Sequence, residues 1–271
     1  MYKIREEERK KLRKYLACKN KSWEIETYLW SRVEWYEKIF RKIPWVTCIC
    51  VCNSLAMNAC HKDSDIDLFV ITNHNRLWTA RIWLTLLTSL LWIRKTSRKH
   101  ASRFCLSFFI SEDEEHFSHI AIEDDIYLSY WLETLIPIVN KNKAFERFLE
   151  KNKLEKIYKN MQSWAYSQHK ASLLNSLSSK EREPSSNNSL VAFFPSLRRG
   201  LRQDFMWEWR VVRKFMRSIW DCIESLLKKI FLKKTLKSYE RLWKPFWVII
   251  SDTMLKFHDQ DRRKEIRDRV L

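Results

Sequence analysis

One residue in 271 is glycine, Gly200. At the usual share of about 7%, a chain this long would hold roughly 19. The shortage constrains the fold directly. Tight turns, helix ends and phosphate-cradling loops need backbone at positive φ, which glycine reaches without steric cost. Here other residues must take those positions, and Asn and Asp are the next best. The chain also holds 14 tryptophans. Several stand where glycine is expected. Trp45 follows Ile43-Pro44 just before a strand, and Trp92 ends an apolar helix at the position glycine favours. Trp243 and Trp247 bracket a Lys244-Pro245-Phe246 turn. Some bacterial lineages read the codon UGA as glycine. A gene from one of them, translated with UGA as tryptophan, would show this profile. An AT-rich genome explains the missing glycine but not the surplus tryptophan.

Hydrophobic residues make up 45% of the chain, so a sizeable core can be buried. Lys and Arg number 51 against 33 Asp and Glu, a net charge of +18. Such a surface favours polyanions: nucleic acid, anionic lipid or phosphorylated small molecules. Seven cysteines (18, 48, 50, 52, 60, 105 and 222) follow no disulfide or zinc-finger spacing. The charged start, MYKIREEERKKLRKYL, lacks the apolar core of a signal peptide. The expected compartment is a reducing cytoplasm.

Apolar spacing predicts helix over 1–43, ended by Pro44. VTCICVC (46–52), DIDLFVIT (65–72) and RFCLSFFIS (103–111) read as strands. Residues 77–93 form a strongly apolar helix, 124–139 a helix running to Pro137, and 144–171 more helix. A Ser/Asn-rich stretch at 172–189 reads as a linker. Residues 201–243 read as basic amphipathic helix, 246–251 (FWVIIS) as an extended piece, and the charged tail as helix. The expected class is α+β, with a small mixed sheet and a mostly helical C-terminal region. The expected divisions are an N-terminal helical segment (1–43), a sheet-bearing domain (44–150) and a basic helical region (151–271).

The segment 46–72 carries the chemistry. Asp65 and Asp67 are two apart on an expected strand, so both carboxylates share a face. Like charges this close repel, and something positive should sit between them. Oxygen ligation suits Mg²⁺, which binds through one or two carboxylates plus substrate phosphates. Asn53-Ser54 ends the first strand and opens a helix, whose free N–H groups and dipole form a phosphate seat. A metal-binding carboxylate pair beside a phosphate seat outlines a triphosphate site. The plain alternatives are a solvated strand end for Asp65 and Asp67 and a helix cap for Ser54.

This stretch resembles the nucleotidyltransferase superfamily with the DNA-polymerase-β-like fold. The signature there is a hydrophobic strand, Gly-Gly or Gly-Ser, a gap of about ten residues, then acid-hydrophobic-acid. Here Asn53-Ser54 stands for Gly-Ser, followed by Ser64-Asp65-Ile66-Asp67-Leu68. From Ile43 to about Glu150 the chain is similar to a bacterial branch described only as nucleotidyltransferase-domain proteins, with RLWTAR, CLSFFISED and DIYLSYW contributing. The resemblance implies Mg²⁺-dependent transfer of a nucleoside monophosphate from an NTP to a hydroxyl acceptor. Asp65 and Asp67 would be the catalytic ligands of two Mg²⁺ ions, and Asn53, Ser54 and Ser64 would bind the nucleotide. Active members usually carry a third carboxylate on a later strand. Strict alternation over Phe104–Ile110 puts Phe104, Leu106, Phe108 and Ile110 on one face and Cys105, Ser107 and Phe109 on the other, with no acid on either. Glu112, Asp113 and Glu114 just beyond are the substitutes on offer. Without a third acid, the alternative is a catalytically weak or inactive module of this fold, binding nucleic acid through its basic helices.

Cys48, Cys50 and Cys52 alternate on one strand face, where small core residues are a better reading than metal thiolates. His61 belongs to a loop near the site, and His116 and His119 to a solvated one. The 77–93 stretch is at the short limit for a membrane span and contains Arg81, so a helix packed on the sheet is the better reading. From Arg198 onward there are 20 basic and 10 acidic residues. These helices suit nucleic acid or anionic lipid as well as they suit a merely solvated face.

Overall fold

A computed structural model describes residues 2–16, 23–96, 98–114, 116–154, 218–233, 235–237, 248–257 and 262–271. Three strands expected from the sequence form its centre: β1 (Val46–Cys52), β2 (Ile66–Thr72) and β3 (Phe104–Ser111). All are buried along almost their whole length, which is why they read as continuous apolar runs. β1 and β2 pair antiparallel, and β2 and β3 pair parallel. A parallel step needs a crossover, here the helix Leu77–Leu90. Preceding it in the chain are helices at Glu6–Leu16 and Trp23–Phe40 and a single turn at Asn53–Ala56. In chain order these helices are therefore α1 (Glu6–Leu16), α2 (Trp23–Phe40), α3 (Asn53–Ala56) and α4 (Leu77–Leu90).

Three further strands, β4 (Ile136–Asn140), β5 (Val248–Ile250) and β6 (Met254–Phe257), complete a mixed sheet in the order β4-β1-β2-β3-β6-β5. The class is α+β, as expected. Two expectations change. The helix read over 124–139 is α5 (Ile126–Glu133), which stops so that 136–140 can pair with β1. Pro137 is tolerated there because β4 is an edge strand. The C-terminal region, expected to be mostly helical with an extended piece at 246–251, supplies β5 inside that piece and a further strand, β6, which pairs with β3. The sheet thus draws on residues either side of the 150 boundary. The expected linker at 172–189, Trp243, Trp247 and most of the basic stretch 201–243 lie outside the described residues.

Both sheet faces are covered. On one, Leu29, Val33 and Phe40 of α2 and Trp78 and Leu84 of α4 bury Ile49, Val51, Leu68 and Val70. On the other, Leu128 and Trp131 of α5 and Phe145 and Phe148 of α6 (Ala144–Lys151) bury Cys48, Cys50, Cys52, Phe69 and Ile71. The three alternating cysteines are therefore core residues, with Cys48 Sγ and Cys50 Sγ 3.5 Å apart. A third apolar cluster joins α1, α5 and the last helix, Arg263–Val270, through Leu12, Ile126, Tyr130, Ile266 and Val270.

α4 lies on the sheet, as its apolar pattern requires, with Leu77, Trp78, Ala80 and Leu84 buried. Arg81 places its guanidinium over the rings of Phe109 and Phe257, at 5.3 and 4.1 Å from their centres. Burial, with Arg94 nearby, pulls its pKa down to about 10. Among the described residues no helix is long and apolar enough to cross a membrane. The first N–H groups of α4 are capped from far along the chain. Trp78 and Thr79 donate to the Glu224 carboxylate at 2.7 and 2.8 Å, from helical residues 218–233. A carboxylate is favoured at this positive helix end.

The glycine shortage is visible in the backbone. Asn53, Asn58, Asn75, Asp124 and Asn142 all take positive φ. So do Ser102, Lys143, Lys153 and, at φ 62 and 57, Trp45 and Trp92.

Candidate functional site

β1 delivers the chain to Cys52, where Asn53 turns it with φ 56 into the single turn of α3. Asn53 thus adopts the left-handed conformation the turn needs. Its side chain is committed elsewhere: Asn53 Oδ1 accepts a hydrogen bond from Trp131 Nε1 at 2.8 Å, tying the turn to α5. Ser54 follows, half-buried. Ser64 stands just before β2. Its buried hydroxyl accepts the His61 N–H at 2.9 Å and closes the bend leading into β2.

Asp67 lies on β2 between two cysteines. In register it faces Cys52 of β1 on one side and Cys105 of β3 on the other. It is only 8% exposed. Asp65, two residues earlier, shares its face, as period-2 geometry requires. Ligand atoms of Asp65, Asp67 and Cys105 all lie within 4.8 Å of one another. This group could hold a metal ion. Its donors are two hard oxygens and one soft sulfur, a mixture that Mn²⁺, Zn²⁺ or Cd²⁺ accepts more readily than Mg²⁺.

The positive group that two neighbouring carboxylates call for is Lys95. Its Nζ lies 2.6 Å from Asp65 Oδ2. After α4 the chain runs beside the start of β3, where Arg94 bridges to Phe104 and the Lys95 N–H donates to Phe104 O at 2.9 Å. Partial burial alone would lower the Lys95 pKa. The hydrogen bond to Asp65 and the negative potential of Cys105, Asp65 and Asp67 outweigh it, and the pKa is raised. Burial first, then Asp67, pushes the Cys105 thiol up, with Lys95 pulling the other way. Cys52 is pushed up by burial and by Asp67 as well.

The residues just past β3 do not join this group. Glu112 pairs with Arg147 at 3.0 Å. Asp113 accepts from Ser111 Oγ at 2.6 Å and lies 2.7 Å from His74 Nδ1. Glu114 accepts from Thr253 Oγ1 at 2.6 Å. The Glu112 N–H bonds Thr72 O, at the far end of β2 from Asp65 and Asp67. The alternation expected along β3 also fails. The pairing of β2 with β3 shifts register between Asp67 and Phe69, a bulge that places an extra β3 residue after Cys105. Phe108 and Ile110 therefore pack on one face while Phe104, Leu106 and Phe109 pack on the other. Cys105, ahead of the bulge, stays beside Asp67 and occupies the place where a third acid was sought.

The sequence pattern put Asp65 and Asp67 on one strand face and Asn53 in a turn, but it did not bring Lys95 or Cys105 beside the two acids. A faint signal existed: the basic turn Arg94-Lys95 closes the helix that must return the chain to the start of β3. Compared with models of protein families, with curated proteins and with solved structures, the chain shows no match.

Proposed function

We propose that the chain is a metal-dependent nucleotidyltransferase that moves a nucleoside monophosphate from an NTP to a hydroxyl acceptor. The observation that carries this reading is the convergence of Asp65, Asp67 and Cys105 within 4.8 Å, one strand away from a left-handed Asn-Ser turn. Cys52, the residue before that turn, faces Asp67 in register, so phosphate seat and carboxylates open onto neighbouring strand ends. A divalent ion there, Mg²⁺ or a softer cation, would neutralise triphosphate charge and lower the pKa of an attacking hydroxyl. The chain's own part is positional. Asp65 and Asp67 hold the cation, with Cys105 as a third donor. The backbone after Asn53 and the Ser54 hydroxyl hold a phosphate. Trp131 fixes the turn by its hydrogen bond to Asn53. Lys95, already paired with Asp65, moves to a phosphate oxygen or stays as a counter-charge.

One observation favours a second reading. Lys95 already supplies Asp65 with a cation, and among the described residues no third acid joins the metal-capable group of Asp65, Asp67 and Cys105. A fold of this kind that no longer performs transfer would use its basic C-terminal region on nucleic acid.

Thermal unfolding with each NTP and Mg²⁺ or Mn²⁺ separates the two. A ligand at about 100 times its dissociation constant stabilises a protein by roughly 2.7 kcal/mol, a shift of several degrees. A metal-dependent shift in the wild type, absent in the Asp65→Asn/Asp67→Asn double variant, is the expected result. No shift with any nucleotide, together with salt-dependent RNA binding that survives the double substitution, selects the binding module instead.

A further inference from the structure

We propose that position 92 is glycine in the protein as its own organism makes it, its codon being a glycine codon there rather than a tryptophan codon. This goes beyond the nucleotidyl-transfer reading and does not depend on it.

α4 ends at Leu90, with Leu91 as its cap and Trp92 next, at φ 57. The Trp92 N–H donates to Ser89 O at 3.0 Å, and the following N–H, of Ile93, reaches back to Thr88 O at 3.0 Å. These two bonds together are the Schellman helix ending, whose left-handed residue is usually glycine and sometimes asparagine. Ile93 is buried behind it, the apolar contact that accompanies this ending. Tryptophan is poorly suited to the position. Its Cβ crowds the following carbonyl, and it lacks the short polar side chain that lets Asn accept this conformation.

Among the described residues the indole finds no ring to pack against. Trp92 is 81% exposed. The tryptophans built into the fold look different. Trp78 is 2% exposed under the sheet, and Trp131 donates its indole N–H to Asn53. Trp45 shares the left-handed backbone, but its ring lies 4.5 Å from that of Trp220, so position 92 carries the inference alone. The composition points the same way: 14 tryptophans accompany one glycine. The other left-handed positions hold mostly Asn and Asp, whose codons no UGA reassignment touches.

The source gene gives the first test. UGA at codon 92, with UGG at codons 78 and 131, is the expected result, and UGG at codon 92 overturns the proposal. The peptide spanning residue 92, from protein isolated from the source cells, should have the mass of the glycine form; the tryptophan mass overturns it. The conformational basis is tested separately on the full chain. Trp92→Gly should raise Tm by about 2–4 °C or more, and Trp92→Ala by less, because alanine keeps the Cβ. A Tm for the glycine variant no higher than that of the alanine variant removes the structural ground for the assignment.

Discussion

At the residue scale Cys105 decides what its cluster with Asp65 and Asp67 could hold, because a thiol beside two carboxylates changes which cation would suit them. Thermal-shift titrations should therefore rank Cd²⁺ and Zn²⁺ above Mg²⁺ for the wild type. Cys105→Asp should raise the Mg²⁺ response and shrink the Cd²⁺ response. An unchanged ranking in that variant means the thiol is no ligand. Lys95 competes for the same carboxylate, so Lys95→Met should tighten metal binding a few-fold, the worth of a half-exposed ion pair of up to about 1 kcal/mol. Weaker binding would instead make Lys95 a partner of the bound ion's ligands. The acid pair was legible in the sequence because strand periodicity alone puts Asp65 and Asp67 on one face. Lys95 and Cys105 were not, because their positions depend on β3 pairing with β2 and on how the chain returns from α4. Those are tertiary facts that no local pattern encodes.

Elements were readable where their burial was uniform and unreadable where pairing overrode pattern. β1, β2 and α4 announce themselves as apolar runs. The 136–140 stretch reads as a continuation of α5, and only its place at the sheet edge makes Ile-Pro-Ile-Val a strand. The β3 bulge likewise breaks an alternation that the sequence leaves intact. Two helices depend on buried polar groups. Asp125 caps α5, accepting the Leu128 N–H at 2.8 Å, and it pairs with Arg263 of the last helix at 2.6 Å with both side chains almost fully buried. Asp125→Ala leaves a buried guanidinium without its carboxylate and should cost about 3–5 kcal/mol in denaturant unfolding. A loss below about 1 kcal/mol would show that the pair is not buried in solution. In α1, burial alone would raise the Glu8 pKa, but hydrogen bonds from the Arg5 side chain and backbone and from Tyr2 hold it below its ordinary value of 4.5. The unfolded chain therefore binds the proton more readily. Glu8 stabilises the fold above pH 4.5, and this contribution is lost as pH falls through the depressed folded value. The stability gap between wild type and Glu8→Gln should close in acid; a gap that persists there would argue against the charge.

For the whole molecule, the main constraint is that one sheet is built from two segments far apart in the chain, 46–140 and 248–257. β6 covers the outer edge of β3, and the last helix completes the cluster with α1 and α5. Truncation after residue 154 should leave an insoluble product, because β3 then presents an unpaired, buried-type edge. A soluble, cooperatively unfolding 1–154 fragment would show instead that the N-terminal part folds alone. The pairing of Phe108 with Lys256 also sets a clock on the ribosome. At about 5–20 residues per second, β3 leaves the ribosome roughly 7–30 s before the strand that shields it. For that interval the nascent protein exposes a strand edge to every other chain being made nearby. Its yield in the cell should then depend on holding chaperones, and on the pace of translation between those two strands, more than on the stability of the finished fold.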